Sequence, residues 1–199
     1  MTGRVEPVDH AWWLASRASG LLALALVTCS VALGLAMAGR LRSGPGPRIT
    51  HEHLALAALV AIAVHGVTLL GDSWLRPGLV GIVVPFQISY RPLYTGIGVV
   101  SAYLIAALAL SFYVRRRIGA RTWRRIHRLT LGAYVLAVLH ALGSGTDAAL
   151  PGVRIALLAS AGAIGALAVY RFSGRASPRA RGSAGASPSR TAAPRDAGA

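Results

Sequence analysis

The chain has 199 residues, 54% hydrophobic and 14% charged, with a mean hydropathy of +0.56. Its apolar residues fall in long runs instead of stripes, which excludes a soluble domain and points to a polytopic membrane protein. Basic residues outnumber acidic ones 21 to 6, but they cluster between apolar runs and in the tail, so membrane topology accounts for them and nucleic-acid binding is not expected.

Residues 1 to 10 are polar and mixed in charge. Trp12 and Trp13 then mark a membrane interface ahead of an apolar run from about Ala18 to Ala38. Ala36-Met37-Ala38 mimics a signal-peptidase site, yet the run is longer than a secretory core and its leader is not basic, so a retained first helix is expected. The lone cysteine, Cys29, lies within it and excludes an intrachain disulfide or a thiolate metal cluster. Arg40 to Arg48 is a loop rich in Gly and Pro.

A second run, about His51 to Gly71, begins His-Glu-His, with Thr50 as a plausible N-cap, and contains His65. The segment GDSWLRPGLVGIVVPFQISYRP follows; its apolar piece Leu79 to Phe86 is too short to span and is expected in the interface. Leu93 to Val114 makes a third span, ending in Arg115-Arg116-Arg117, and RTWRRIHRLTLGAYVLAVLHALGSGT from Arg121 to Thr146 carries the fourth. Val153 to Tyr170 is the fifth, and residues 173 to 199 read as a disordered basic tail of Arg, Ser, Ala and Pro. The fold class expected is all-α: a five-helix membrane bundle, with residues 11 to 172 as its transmembrane domain.

Arginines concentrate in the loop after the first span, in the collar between third and fourth, and in the tail; Arg4, Arg17, Arg76, Arg91 and Arg154 are the few on the other side. The positive-inside rule then places the N-terminal segment outside, the tail in the cytoplasm and the protein in the cell membrane, surrounded by lipid.

Only the second and fourth spans carry histidine within the membrane, and both run in the same direction. An ionisable residue there is costly and marks a function by default. Parallel helices bring His51 or His53 level with His127, and His65 level with His140. Fourteen residues separate His51 from His65, about 40° short of four full turns, so both face one way. The twelve from His53 to His65 leave that pair about 120° out of phase, which favours His51. The thirteen from His127 to His140 leave about 140°, which a tilt or a local distortion near Gly132 could correct. No acid, cysteine or methionine cluster accompanies them, against zinc, calcium or iron–sulfur centres. Two imidazoles from facing helices suit a bis-histidine haem, with Ala57, Ala61, Gly66, Gly132, Ala133 and Ala137 as small wall residues.

WRRIHRLTLGAYVLAVLHALGSGTD resembles the last haem-binding helix of the ferric-reductase-like transmembrane family, whose superfamily includes NADPH oxidases and yeast-type ferric reductases. The span with His51 and His65, the GDSW connection and VPFQISYRPLYTGIG resemble the same family. The resemblance implies two b-type haems with the four histidines as axial ligands: His51 with His127 on the cytoplasmic haem, His65 with His140 on the outer one. It implies transmembrane electron transfer by an oxidoreductase subunit. The chain shows no flavin or nicotinamide domain and is in that respect similar to short bacterial haem subunits such as the membrane partner of periplasmic methionine-sulfoxide reductase. Flavin is therefore expected only on a partner protein, and electrons from that partner or from quinol.

Other roles stand beside these. His53 is an interface residue or alternate ligand, and His10 is expected in solvent. Arg124, Arg125 and Arg128 are topology signals first and candidates for pairing with haem propionates second, as Arg17 or Arg91 are outside. The competing function is a haem-free metal or proton transporter, or an assembly factor, using the histidines as a relay. Cation transporters usually bring intramembrane acids, whereas Glu52 and Asp72 lie at span ends.

Overall fold

The computed structural model describes residues 7 to 173; the expected tail beyond Ser173 and the first six residues lie outside it. Seven helices follow one another: α1 Pro7–Ala38, α2 Pro45–Leu70, α3 Gly78–Val83, α4 Pro92–Ile118, α5 Ala120–His127, α6 Thr130–Ser144 and α7 Pro151–Phe172, with a 3₁₀ turn at Thr146–Ala149 before α7. No strand forms among the described residues. Five segments are long and apolar enough to cross a membrane, α5 and α6 together forming the fourth. Large apolar side chains such as Val60, Val67, Ile155 and Val169 are 60–68% exposed, an outer surface that only lipid would solvate well. The chain is an integral membrane protein, all-helical in class over the described residues.

Prolines set the helix starts. Pro45, Pro92 and Pro151 each occupy the first turn, where the missing N–H costs nothing and φ is already helical. Thr50 is therefore not the N-cap of α2: the helix begins at Pro45 after Gly44, whose φ of 108° favours glycine. Thr50 lies inside the helix, its hydroxyl donating to the Gly46 carbonyl at 3.1 Å. In the GDSW connection, buried Asp72 accepts from the backbone N–H groups of Trp74 and Leu75 at 2.9 Å each. This Asx turn holds the chain between α2 and α3. α3 has six residues, too few to cross.

The fourth span is interrupted. α5 ends at His127 and α6 begins at Thr130, and the turn between them uses i→i+3 bonds from Leu129 N–H to the Ile126 carbonyl (2.9 Å) and from Leu131 N–H to the Arg128 carbonyl (3.3 Å). Tight turns advance about 120° per residue against about 100° in an α-helix, so the overwinding moves His140 toward the phase of His127. The distortion lies at Arg128–Leu129, not at Gly132.

α1 is the central helix, packed against α2, α6 and α7, while α4 packs on α6. The buried core joins Leu24, Val27 and Val31 of α1 to Ala58 of α2, Tyr134 and Val138 of α6, and Leu157 and Ile164 of α7. α1 and α2 form an antiparallel hairpin, so α2 and α6 present their histidines at matched depths beside it.

Candidate functional site: two imidazole pairs

The four span histidines meet two by two. His51 and His127 have ring centroids 6.1 Å apart with planes at 89°, near the arginine-rich end of the bundle. Toward the other end, His65 and His140 are 6.5 Å apart with planes at 73°. The pairs are separated by fourteen residues on α2, about 20 Å of helix. His53 is exposed, so the pairing partner of His127 is His51, as the helical phase favoured.

Three of the four rings are anchored through Nδ1 to a backbone carbonyl. The acceptors are Ser30 O for His51 (2.9 Å), Ser16 O for His65 (2.7 Å) and Tyr94 O for His140 (2.8 Å). A carbonyl only accepts, so Nδ1 carries the proton in each, leaving the Nε2 lone pair for another partner. The Ser30 hydroxyl lies a further 3.1 Å from Nδ1 of His51. His127 differs: its Nδ1 is buried without a hydrogen bond, and its ring stacks on Trp123 at 4.9 Å and 20°. Trp123 in turn donates from Nε1 to the Ser111 hydroxyl at 3.1 Å.

The ring spacing is compatible with two imidazoles sharing one metal. Metal–imidazole bonds are about 2.0 Å long, and with each nitrogen about 1.1 Å from its ring centre a linear arrangement sets the centroids about 6.2 Å apart. Both pairs lie close to this value, and near-perpendicular planes are compatible with it because each ring turns freely about the shared axis. The described residues gather no cluster of three or more His, Cys, Asp or Glu side chains, so the imidazoles stand as pairs.

A cavity of about 330 Å³ adjoins the His65–His140 pair. Gly66 and Ala137, expected as wall residues, line it, joined by Gly20 and Gly98. Ala61 and Ala133 are buried in the packing, whereas Ala57 and Gly132 are exposed. Arg17, also at the cavity, is already engaged: Nε donates to Asp147 Oδ2 at 2.8 Å, Nη2 pairs with Oδ1, and its guanidinium lies 4.1 Å from the Trp13 ring centroid. Arg91 donates to the Gly143 carbonyl. Arg124, Arg125 and Arg128 are exposed beside His127. His10 is exposed and stacks on Trp13 at 5.3 Å.

Sequence reasoning centred on α2 and the fourth span missed what α1 and α4 supply. The signal was present: Ser16-x₃-Gly20 and Ser30-x₃-Gly34 stand fourteen residues apart, the spacing of His51 and His65.

A family model described as "Ferric reductase like transmembrane component" matches residues 19–138, more than half of the chain. The match includes His51, His65 and His127 and stops two residues short of His140. No curated protein and no solved structure matches the chain. By that match, the chain belongs to the ferric reductase-like transmembrane component family.

Proposed function

We infer that this chain carries single electrons across the cell membrane through two b-type haems, one held by His51 and His127 and the other by His65 and His140. The observation that carries the reading is the spacing of the two ring pairs, 6.1 and 6.5 Å between centroids, at which one iron fits between each pair. The tautomers agree with it: with Nδ1–H committed to carbonyls in three rings, Nε2 is the free donor atom. Haem supplies an iron that cycles between ferric and ferrous states. The protein's part is to fix the ligands, keep the sites dry and set the potentials.

Each element has a share in this. α2 gives one ligand to each site, and the interrupted fourth span gives the other. The packed apolar layer between the pairs, with Leu24, Val27, Tyr134 and Val138, excludes water between them. The arginine collar faces the cytoplasm by the positive-inside rule, so the His51–His127 site is the one near a cytoplasmic donor. The partner is a flavoprotein or another reductase, or quinol, and the electron leaves from the His65–His140 side.

The test is a dithionite-reduced minus oxidised spectrum of the purified chain made with haem available, with pyridine-haemochrome quantification. A b-type spectrum at two haems per chain is expected. Protein without haem would overturn the reading and favour histidines acting as a transport relay.

A further inference from the structure

We propose that Gly20, Gly34 and Gly98 are positioning residues for the histidines: each bares the helix carbonyl four residues before it, so that one imidazole Nδ1–H can bond there. This rests on the haem reading above and adds to it a device that lies mainly outside the ligand-bearing helices.

The three anchored histidines share one local geometry. The acceptor is always a carbonyl at position i of a helix, and position i+4 is always glycine: Ser16 and Gly20 for His65, Ser30 and Gly34 for His51, Tyr94 and Gly98 for His140. Within an α-helix that carbonyl already accepts the N–H of residue i+4, which leaves one lone pair unused. Side chains lean toward the helix N-terminus, so the Cβ of residue i+4 sits over that lone pair. Glycine removes the obstruction. A Cβ placed on Gly20 would stand 3.0 Å from both Cε1 and Nδ1 of His65, and one on Gly34 would stand 3.2 Å from Cε1 of His51. A Cβ on Gly98 would run into the His140 ring at Nδ1. These are not merely small residues in a packed stripe, because each meets the same edge of an imidazole.

The consequence is electronic as well as steric. A carbonyl that accepts Nδ1–H makes the imidazole a more electron-rich ligand and favours ferric over ferrous iron. It also fixes the ring plane, and the low-spin ferric EPR signal depends on the angle between the two planes. The His65–His140 site has two such anchors, and the His51–His127 site has one.

The experiment uses the full chain loaded with haem in lipid nanodiscs, followed by redox potentiometry and EPR. His140→Ala, retaining the other haem, assigns the two midpoints. Gly20→Ala and Gly98→Ala are each expected to shift the His65–His140 midpoint positive and alter its EPR signal while the other haem is unmoved. Gly34→Ala is expected to do the converse. Gly165→Ala, on α7 with nothing within 4 Å of an added Cβ, serves as the control and should move neither. Loss of one haem counts with a shift when it is the haem of the histidine the glycine faces. Unmoved midpoints and signals in all three variants, or equal shifts at both haems, overturn the proposal while leaving the two-haem reading intact. A parent protein without haem removes both. In haem-free protein, ¹⁵N NMR of labelled histidine reads the tautomer directly: Nδ1–H is expected at His51, His65 and His140, and Nε2–H at all three overturns the proposal.

Discussion

Ser16 accepts the Nδ1–H of His65 at 2.7 Å, and fourteen residues along α1 Ser30 does the same for His51 at 2.9 Å. The two contacts are one register read twice. In an antiparallel helix pair, moving forward along α1 is moving back along α2. Fourteen residues is close to a whole number of turns on both, so a face that fits once fits again. α1 thereby holds one α2 histidine near each end of the bundle.

Alanine substitutions should separate the histidines by role. His140→Ala and His51→Ala are each expected to halve the haem content from two per chain to one, with the remaining haem keeping its own spectrum. His53→Ala, at an exposed position two residues from His51, should leave both haems in place. Pyridine-haemochrome quantification reads all three. A one-haem chain from His53→Ala would reassign the ligand.

Trp123→Leu should affect only the His51–His127 site. His127 has no hydrogen bond at Nδ1, and the ring it stacks on is what orients it. Removing the indole frees the imidazole plane, so the EPR signal of that haem should broaden or shift while the His65–His140 signal stays. Ser111→Ala, which removes the indole's acceptor together with the hydroxyl's own bond to the Leu108 carbonyl, should give the same change to a smaller degree. Equal change at both haems would point to a general loosening of the bundle.

Much of this arrangement was legible in the sequence. Runs of apolar residues near twenty long gave five spans, and the parallel direction of the second and fourth put His65 level with His140. Helical phase alone singled out His51 over His53, since fourteen residues close a set of turns and twelve do not. The same arithmetic failed for His127 and His140. It assumes one uninterrupted helix, and the chain breaks at Arg128–Leu129, where no proline or glycine announces it. The anchoring carbonyls were hidden for a different reason. A backbone acceptor has no side-chain signature, and only the glycine four residues later betrays it. Arg17, by sequence a candidate for a haem propionate, is engaged by Asp147, a partner 130 residues away that local sequence does not announce.

That pair carries the next prediction. Arg17 and Asp147 join α1 to the 3₁₀ turn before α7, with side chains 27% and 14% exposed. Breaking a partly buried pair strands a charge, at a cost between the values for surface and buried bridges, about 1–3 kcal/mol. Arg17→Met and Asp147→Leu should each lower resistance to thermal unfolding by that amount. The double substitution should recover most of the loss, since two apolar groups leave nothing unpaired. Additive losses would mean that the two residues stabilise the bundle independently.

Tyr134 sits on α6 about half way between His127 and His140, 2% exposed, packed among residues of α1 in the layer that separates the two sites. Its hydroxyl is 3.5 Å from Thr28 Oγ1, at the outer limit of a hydrogen bond, and Thr28 already donates to the Leu24 carbonyl at 2.7 Å. The ring therefore matters more than the hydroxyl. Tyr134→Phe should cost under about 1 kcal/mol and leave both haems bound. Tyr134→Ala opens a cavity in the buried core of the bundle and should cost about 3–5 kcal/mol. Thermal unfolding of the two variants distinguishes these outcomes. A Phe variant as weakened as the Ala variant would show that the long contact with Thr28 is a bond the bundle depends on.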